Sequence, residues 1–155
     1  RSVSRGLGDV YKRQGKICIL KQVKNVIKGS NTMTVQECYQ QIQGNYENVL
    51  KRLKTDERIV KFLELFLSDT TYEKLSEAVN AKNDQEIFKC VHDLKGMALN
   101  LGLTALQKAA QNLCDAVRYG EPSVDIDPLY QEVTKEYQKV VDIIHVIMQG
   151  QNRSV

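Results

Sequence analysis

Asn83-Asp84-Gln85-Glu86-Ile87-Phe88-Lys89-Cys90-Val91-His92-Asp93-Leu94-Lys95-Gly96-Met97-Ala98-Leu99-Asn100-Leu101-Gly102 is the stretch whose reading decides the fold of this chain. At about 100° per residue, Ile87, Val91, Leu94, Ala98 and Leu101 fall in one arc. The segment therefore predicts an amphipathic helix with one buried stripe. Asn83 to Glu86 opens it as a capping box, in which side chains satisfy backbone N–H groups that the first turn leaves unpaired. Gly102 is expected to terminate it, because glycine accepts the left-handed conformation that ends many helices. His92 lies roughly 140° from the centre of the stripe, on the side that faces water.

The same punctuation recurs on both sides. Thr34-Val35-Gln36-Glu37 is a capping box whose helix should run to about Gly44. Tyr46, Val49, Leu50 and Leu53 mark a second short helix. Thr55-Asp56 opens a segment carrying Val60, Leu63, Phe66 and Leu67; Ser68-Asp69 caps or bends it, and Tyr72, Leu75 and Val79 continue. After Gly102, Thr104 to Gln107 repeats the box and Gly120 should close that helix. Asp127-Pro128 reads as an N-cap with proline at the first helical position, followed by Leu129, Val133, Tyr137, Val140, Ile144 and Ile147. No segment alternates as a strand would. Amphipathic helices joined by short connections predict an all-α protein: an antiparallel four-helix bundle with short additional N-terminal helices.

The 155 residues suffice for one domain with a hydrophobic core. The net charge of +3 is unevenly spread. Residues 1–32 carry eight Lys/Arg against one Asp, and residues 33–155 carry fourteen against eighteen Asp/Glu. Residues 1–32 are thus expected to be a non-native or disordered basic leader, with Met33 as the natural start, residues 33–150 as the domain and 151–155 as a disordered tail. A mildly acidic domain argues against nucleic-acid binding, which wants a basic patch on the folded body. No stretch approaches the roughly 20 apolar residues of a membrane span. Cys18, Cys38, Cys90 and Cys114 form no C-x-x-C pair, so reduced thiols in a cytoplasmic protein are expected.

An outward imidazole in mid-helix is suited to chemistry. The free side chain titrates at about 6.5, so its neutral form is a nucleophile near pH 7 and its outward nitrogen can attack phosphorus. Lys89 and Lys95, three residues to either side, are placed to offset the charge of an attached phosphoryl group as point charges. Glycine in a helix interior costs about 1 kcal/mol relative to alanine, and Gly96 would let a partner's backbone come close. Phe88 and Leu99, on the same side, would supply apolar contact for docking.

His92-Asp93-Leu94-Lys95-Gly96 followed by Asn100-Leu101-Gly102 closely resembles the signature of histidine-containing phosphotransfer (HPt) domains, H-x-L-K-G-x(5)-G. Phe62 to Leu67, Leu75, Ala78-Val79 and Leu103 to Leu113 also resemble the family's surroundings of that motif, and the likeness covers about residues 34–148. It implies a four-helix bundle and a phosphorelay intermediate of a bacterial, cytoplasmic two-component system. By motif position His92 would be the phosphoacceptor, Lys95 the neighbouring cation, Gly96 the close-approach residue and Gly102 the helix terminator. The implied partners are response-regulator receiver domains, with a hybrid histidine kinase as a further candidate, and the implied state is a monomer. Mg²⁺ and the acidic pocket would belong to the receiver, so no cofactor of its own is expected, and the chain would be a phosphocarrier rather than an enzyme. Cys114 stands where many members carry a Gln or Glu that hydrogen-bonds the imidazole; a thiol is a weak partner. Orientation of the ring then falls to Gln111, one turn earlier, or to no side chain.

The rival reading is a helical module that docks receivers or kinases without being phosphorylated, with His92 as a mere contact. A Cys/His enzyme is disfavoured, because Cys90 and His92 point in different directions on a helix and no oxyanion-hole signature accompanies them. His145 reads as a flank residue favoured by the C-terminal helix dipole. Tyr39, Tyr46 and Tyr72 read as core or half-core.

Overall fold

The computed structural model describes residues 33–119 and 125–153, with side chains to residue 150. The basic leader, Cys18 and the expected helix end at Gly120 fall outside the described residues. Seven helices are present among those described: α1 (Val35–Gln41), α2 (Tyr46–Leu53), α3 (Asp56–Ser68), α4 (Thr71–Asn80), α5 (Asp84–Asn100), α6 (Thr104–Val117) and α7 (Asp127–Arg153). No described residue is in a strand. The result is an all-α bundle. α5 packs between α4 and α6, α6 packs on α7, and α7 closes the ring against α3. One of the four bundle positions is thus shared by α3 and α4, which Asp69 and Thr70 separate; the Asp69 carboxylate accepts the Thr71 N–H at 2.7 Å and starts the second segment.

The stripe read from the sequence is the centre of this packing. Ile87, Val91, Leu94 and Ala98 are wholly inaccessible, and they meet Leu75 of α4, Leu106 and Leu113 of α6 and Ile143 and Ile144 of α7 in one continuous core. Each such aliphatic side chain contributes on the order of 1.5–3 kcal/mol by leaving water. Tyr72 and Tyr137 stack 4.0 Å apart between α4 and α7, and the Tyr72 hydroxyl lies 3.0 Å from that of Thr134. The three described cysteines are free and buried. Burial, reinforced by the neighbouring Glu37 carboxylate, pushes the Cys38 thiol up to about 12.

Several helix ends differ from the sequence reading. The Thr34 box is complete, with reciprocal bonds between Thr34 and Glu37. At Asn83 only one arm forms, the side-chain oxygen accepting the Glu86 N–H at 3.2 Å. Thr104 is not a cap: α6 begins one residue earlier, with Leu103 at the N-cap and no side-chain bond there. Asp127 is already helical, and the Asp125 carboxylate accepts its N–H at 3.0 Å, which puts Pro128 in the second helical position. α1 stops at Gln41 rather than near Gly44, because Gln43 takes a φ of 55° and the Gly44 N–H returns to the Tyr39 carbonyl. α7 continues through Arg153, into the segment expected to be a disordered tail. His145 is therefore eight residues from that helix end, beyond the last turn over which a dipole acts, and its role is that of an exposed surface residue. Among the described residues, no helix is long and apolar enough to cross a membrane.

Candidate functional site

His92 sits in the middle of α5 with its side chain exposed, on the face opposite the buried stripe. Side chains in a helix lean toward its N-terminus, onto the residue four positions earlier. The surface beneath the imidazole therefore belongs to Phe88, and the two rings stack with centroids 5.8 Å apart and planes 21° from parallel. The same rule makes residue 96 the one whose side chain would lean over His92. That residue is glycine, and a Cβ built there meets nothing within 4 Å. Packing inside the chain does not require Gly96, yet its absence of a side chain leaves the imidazole uncovered.

The end of α5 is held firmly. Leu101, Gly102 and Leu103 turn the chain, with Gly102 at a φ of +64° and the Leu103 N–H returning to the Ala98 carbonyl at 2.8 Å. Carbonyls at this end accept further bonds from the N-terminal helices. The buried Tyr39 hydroxyl of α1 donates to the Leu101 carbonyl at 2.8 Å, and the Arg52 guanidinium of α2 donates to that of Leu99 at 3.0 Å. The Asn45 N–H, at the start of α2, donates to the Gly102 carbonyl at 2.8 Å. Helix C-termini carry partial negative charge, so a guanidinium here is well placed. These three bonds lock the histidine-bearing helix to α1 and α2.

The site residues divide between two places. Phe88, Lys89, His92, Gly96 and Leu99 lie along the outer side of α5, with Leu99 51% exposed. Lys95 is half-buried toward α6, where its charge acts on the Cys114 thiol. Cys114 itself is wholly inaccessible, and burial pushes its thiol above the ordinary value despite Lys95. Gln111 donates its side-chain amide to the Asp115 carboxylate at 2.7 Å. Neither Gln111 nor Cys114 hydrogen-bonds the imidazole, and no other described residue bonds either of its nitrogens. Of the alternatives left open by the sequence, ring orientation by Gln111 is thus set aside.

A second apolar surface lies beside the histidine face. Phe62 and Leu65 of α3 are 44% and 57% exposed, and with Phe66 they line a groove of about 410 Å³. Arg52 and Leu53 of α2, Met97 and Asn100 of α5, Leu101 at its C-cap and Asp69 at the end of α3 complete it. Asn100 is one turn beyond Gly96 and about two turns beyond His92 on α5. The signal was present in the sequence: Phe62 and Leu65 lie well off the Ile59, Val60, Leu63 and Phe66 stripe of α3, about 100° and 160° from its centre.

Among the described residues no group of three or more His, Cys, Asp or Glu side chains is arranged to hold a metal ion. No curated protein and no solved structure matches the chain. A model of the Hpt domain matches residues 61–143, more than half of the chain and all of the bundle from α3 into α7. With His92 exposed on the central helix of that matched region, the chain belongs to the Hpt domain family, phosphocarriers of two-component signalling that interact with receiver domains and kinases and are not themselves catalysts.

Proposed function

We propose that His92 is the phosphoacceptor of a phosphorelay, taking a phosphoryl group from the aspartyl phosphate of one receiver domain and passing it to another. The observation that carries this reading is the exposed imidazole on α5, uncovered at Gly96, within the span matched to the Hpt domain. The lone pair of a neutral ring nitrogen attacks phosphorus and forms the N–P bond. The acyl P–O bond breaks and its electron pair returns to the receiver's carboxylate. The proton on the other ring nitrogen can then pass to water. Mg²⁺ and the acidic pocket that hold the phosphoryl group belong to the receiver. On this chain Lys89 and Lys95 lie three residues to either side, a separation of about 5–6 Å between Cβ atoms, and offset the added charge. Phe88 and Leu99 are docking contacts, and Phe62 and Leu65 extend that apolar surface. The protein acts as a monomer in the bacterial cytoplasm.

Incubation with a phosphorylated receiver and Mg²⁺ tests the reading. Phosphate should move to this chain in an acid-labile, base-stable form, as a phosphoramidate is. A receiver complex without such phosphate would instead identify an unphosphorylated docking module.

Gly96 supplies a prediction in which stability and function move in opposite directions. Gly96→Ala should stabilise the fold by about 0.5–1 kcal/mol, since alanine is the better helix former and its methyl enters open space. The same methyl would stand between α5 and an approaching receiver. Overpacking a close contact costs on the order of 1–3 kcal/mol, so receiver-to-His92 transfer should slow about tenfold. Denaturant melts and transfer time courses check the two arms, and undiminished transfer would remove Gly96 from the docking surface.

A further inference from the structure

The surroundings of His92 raise the question of what holds its ring. Cys114 lies wholly inside the core, Gln111 is bonded to Asp115, and a side chain is missing at Gly96. The Phe88 ring lies against the imidazole, stacked on it at 5.8 Å and 21°. We propose that Phe88 is the positioning residue of this phosphohistidine site, an aromatic shelf that orients the imidazole by stacking, where no hydrogen bond to either nitrogen does so. The inference rests on the assignment of His92 as phosphoacceptor and adds the residue that sets its geometry.

The physical argument concerns rotamers. An exposed histidine on a helix can choose among staggered side-chain conformations, and only some present a nitrogen outward. Phe88 is half-buried and packed against the core, so its ring is a fixed surface rather than a second mobile group. An offset stack on it favours the rotamer that leans toward the helix N-terminus. A stack also covers one face of the imidazole and leaves its edge free. Attack on phosphorus uses a lone pair in the ring plane, at that edge. A hydrogen bond would orient the ring by occupying one nitrogen; a stack orients it while both nitrogens stay open.

The test uses phosphoramidate as donor, so that no partner has to dock. The imidazole attacks its phosphorus, the donor's P–N bond breaks and ammonia leaves. Phe88→Leu keeps an apolar side chain but removes the ring, and should slow labelling of His92 about threefold to tenfold as the competent rotamer is diluted. Phe88→Tyr keeps the ring and should restore the rate. The carbon-bound imidazole protons of His92 supply a second readout in the unphosphorylated protein at fixed pH. They lie in the ring current of Phe88 and should shift in Phe88→Leu and return in Phe88→Tyr. Helicity by circular dichroism must match the unsubstituted protein; should the leucine variant not fold, Phe88→Met takes its place. An unchanged labelling rate overturns the proposal, as does a loss that tyrosine does not restore. Slowing seen with a receiver but not with phosphoramidate also overturns it, because Phe88 is then only a docking contact. Failure of the underlying assignment looks different: the unsubstituted protein gives no acid-labile product. The resonances then decide the stack alone, and resonances that stay put in Phe88→Leu overturn it.

Discussion

Replacing His92 by glutamine is expected to abolish phosphoryl uptake while leaving the bundle folded. Glutamine has similar reach and a slightly better helix propensity, but its amide nitrogen has no available lone pair to attack phosphorus. The side chain is exposed and makes no hydrogen bond to a described residue, and its removal forfeits the stack on Phe88. Exposed substitutions of this kind shift stability by about 0.5 kcal/mol or less. A denaturant melt of His92→Gln should therefore overlay that of the unsubstituted protein. Transfer from a phosphorylated receiver should fall to background, a loss of at least about a hundredfold, since general transition-state stabilisation is no substitute for a missing nucleophile. The other described histidine, His145, is exposed on α7 and offers a built-in control. His145→Gln should accept phosphate at the normal rate. Retained uptake in His92→Gln, or lost uptake in His145→Gln, would place the acceptor elsewhere.

The direction of His92 was legible from periodicity alone, because the four stripe residues of α5 and Leu101 at its C-cap are apolar at helical spacing and the bundle buries all of them. The bundle was legible for the same reason, each helix having one apolar face. Helix ends were less so. Gln43, Lys54 and Lys82 adopt left-handed backbone after α1, α2 and α4. No local rule flags glutamine or lysine for that conformation; it is imposed by the turns that let the next helix pack. Thr104 failed as a cap because the turn through Gly102 needs Leu103 as the residue before α6, and Leu103 is buried in the core. The partner of the imidazole was illegible in a different way. Spacing on one helix predicts the i to i+4 contact of Phe88 with His92, whereas a contact from α6 depends on how deeply that helix is set. Cys114 proves to be in the core, and Gln111 has an acidic neighbour one turn on that takes its amide.

The sequence also gave no hint of how closely α1 and α2 serve α5. Tyr39, Asn45 and Arg52 are far from the histidine in the chain, and each satisfies a group at the end of its helix. Arg52 also lines the groove beside the site. The Leu99 carbonyl accepts from Arg52 while the Leu99 side chain is 51% exposed. The short N-terminal helices thus fix the end of the histidine-bearing helix, although both lie wholly outside the matched span.

Gly102 is where that dependence should be largest. At a φ of +64°, a non-glycine residue carries about 1–2 kcal/mol of strain from its Cβ. Here the Cβ also has nowhere to go. Built on the backbone, it overlaps Val49 Cγ2 and lies 2.7 Å from the Asn45 carbonyl oxygen. Val49 is wholly buried, and the Asn45 carbonyl belongs to the first turn of α2, where it accepts the Val49 N–H. Neither can yield without moving α2, and moving α2 lengthens the bond from the Asn45 N–H to the Gly102 carbonyl. Adding overpacking of about 1–3 kcal/mol gives an expected loss of about 3 kcal/mol for Gly102→Ala, or roughly a 10 °C fall in melting temperature for a domain of this size. The loss should be felt first at α1 and α2, whose amides should exchange faster than those of α6 and α7. Gly96→Ala, six residues earlier and inside α5, should move the melt the other way. Two glycines of one motif would then be separated by sign: Gly102 is required by the fold, and Gly96 by what approaches it. A Gly102→Ala protein as stable as the parent would show that α2 is not anchored through this turn.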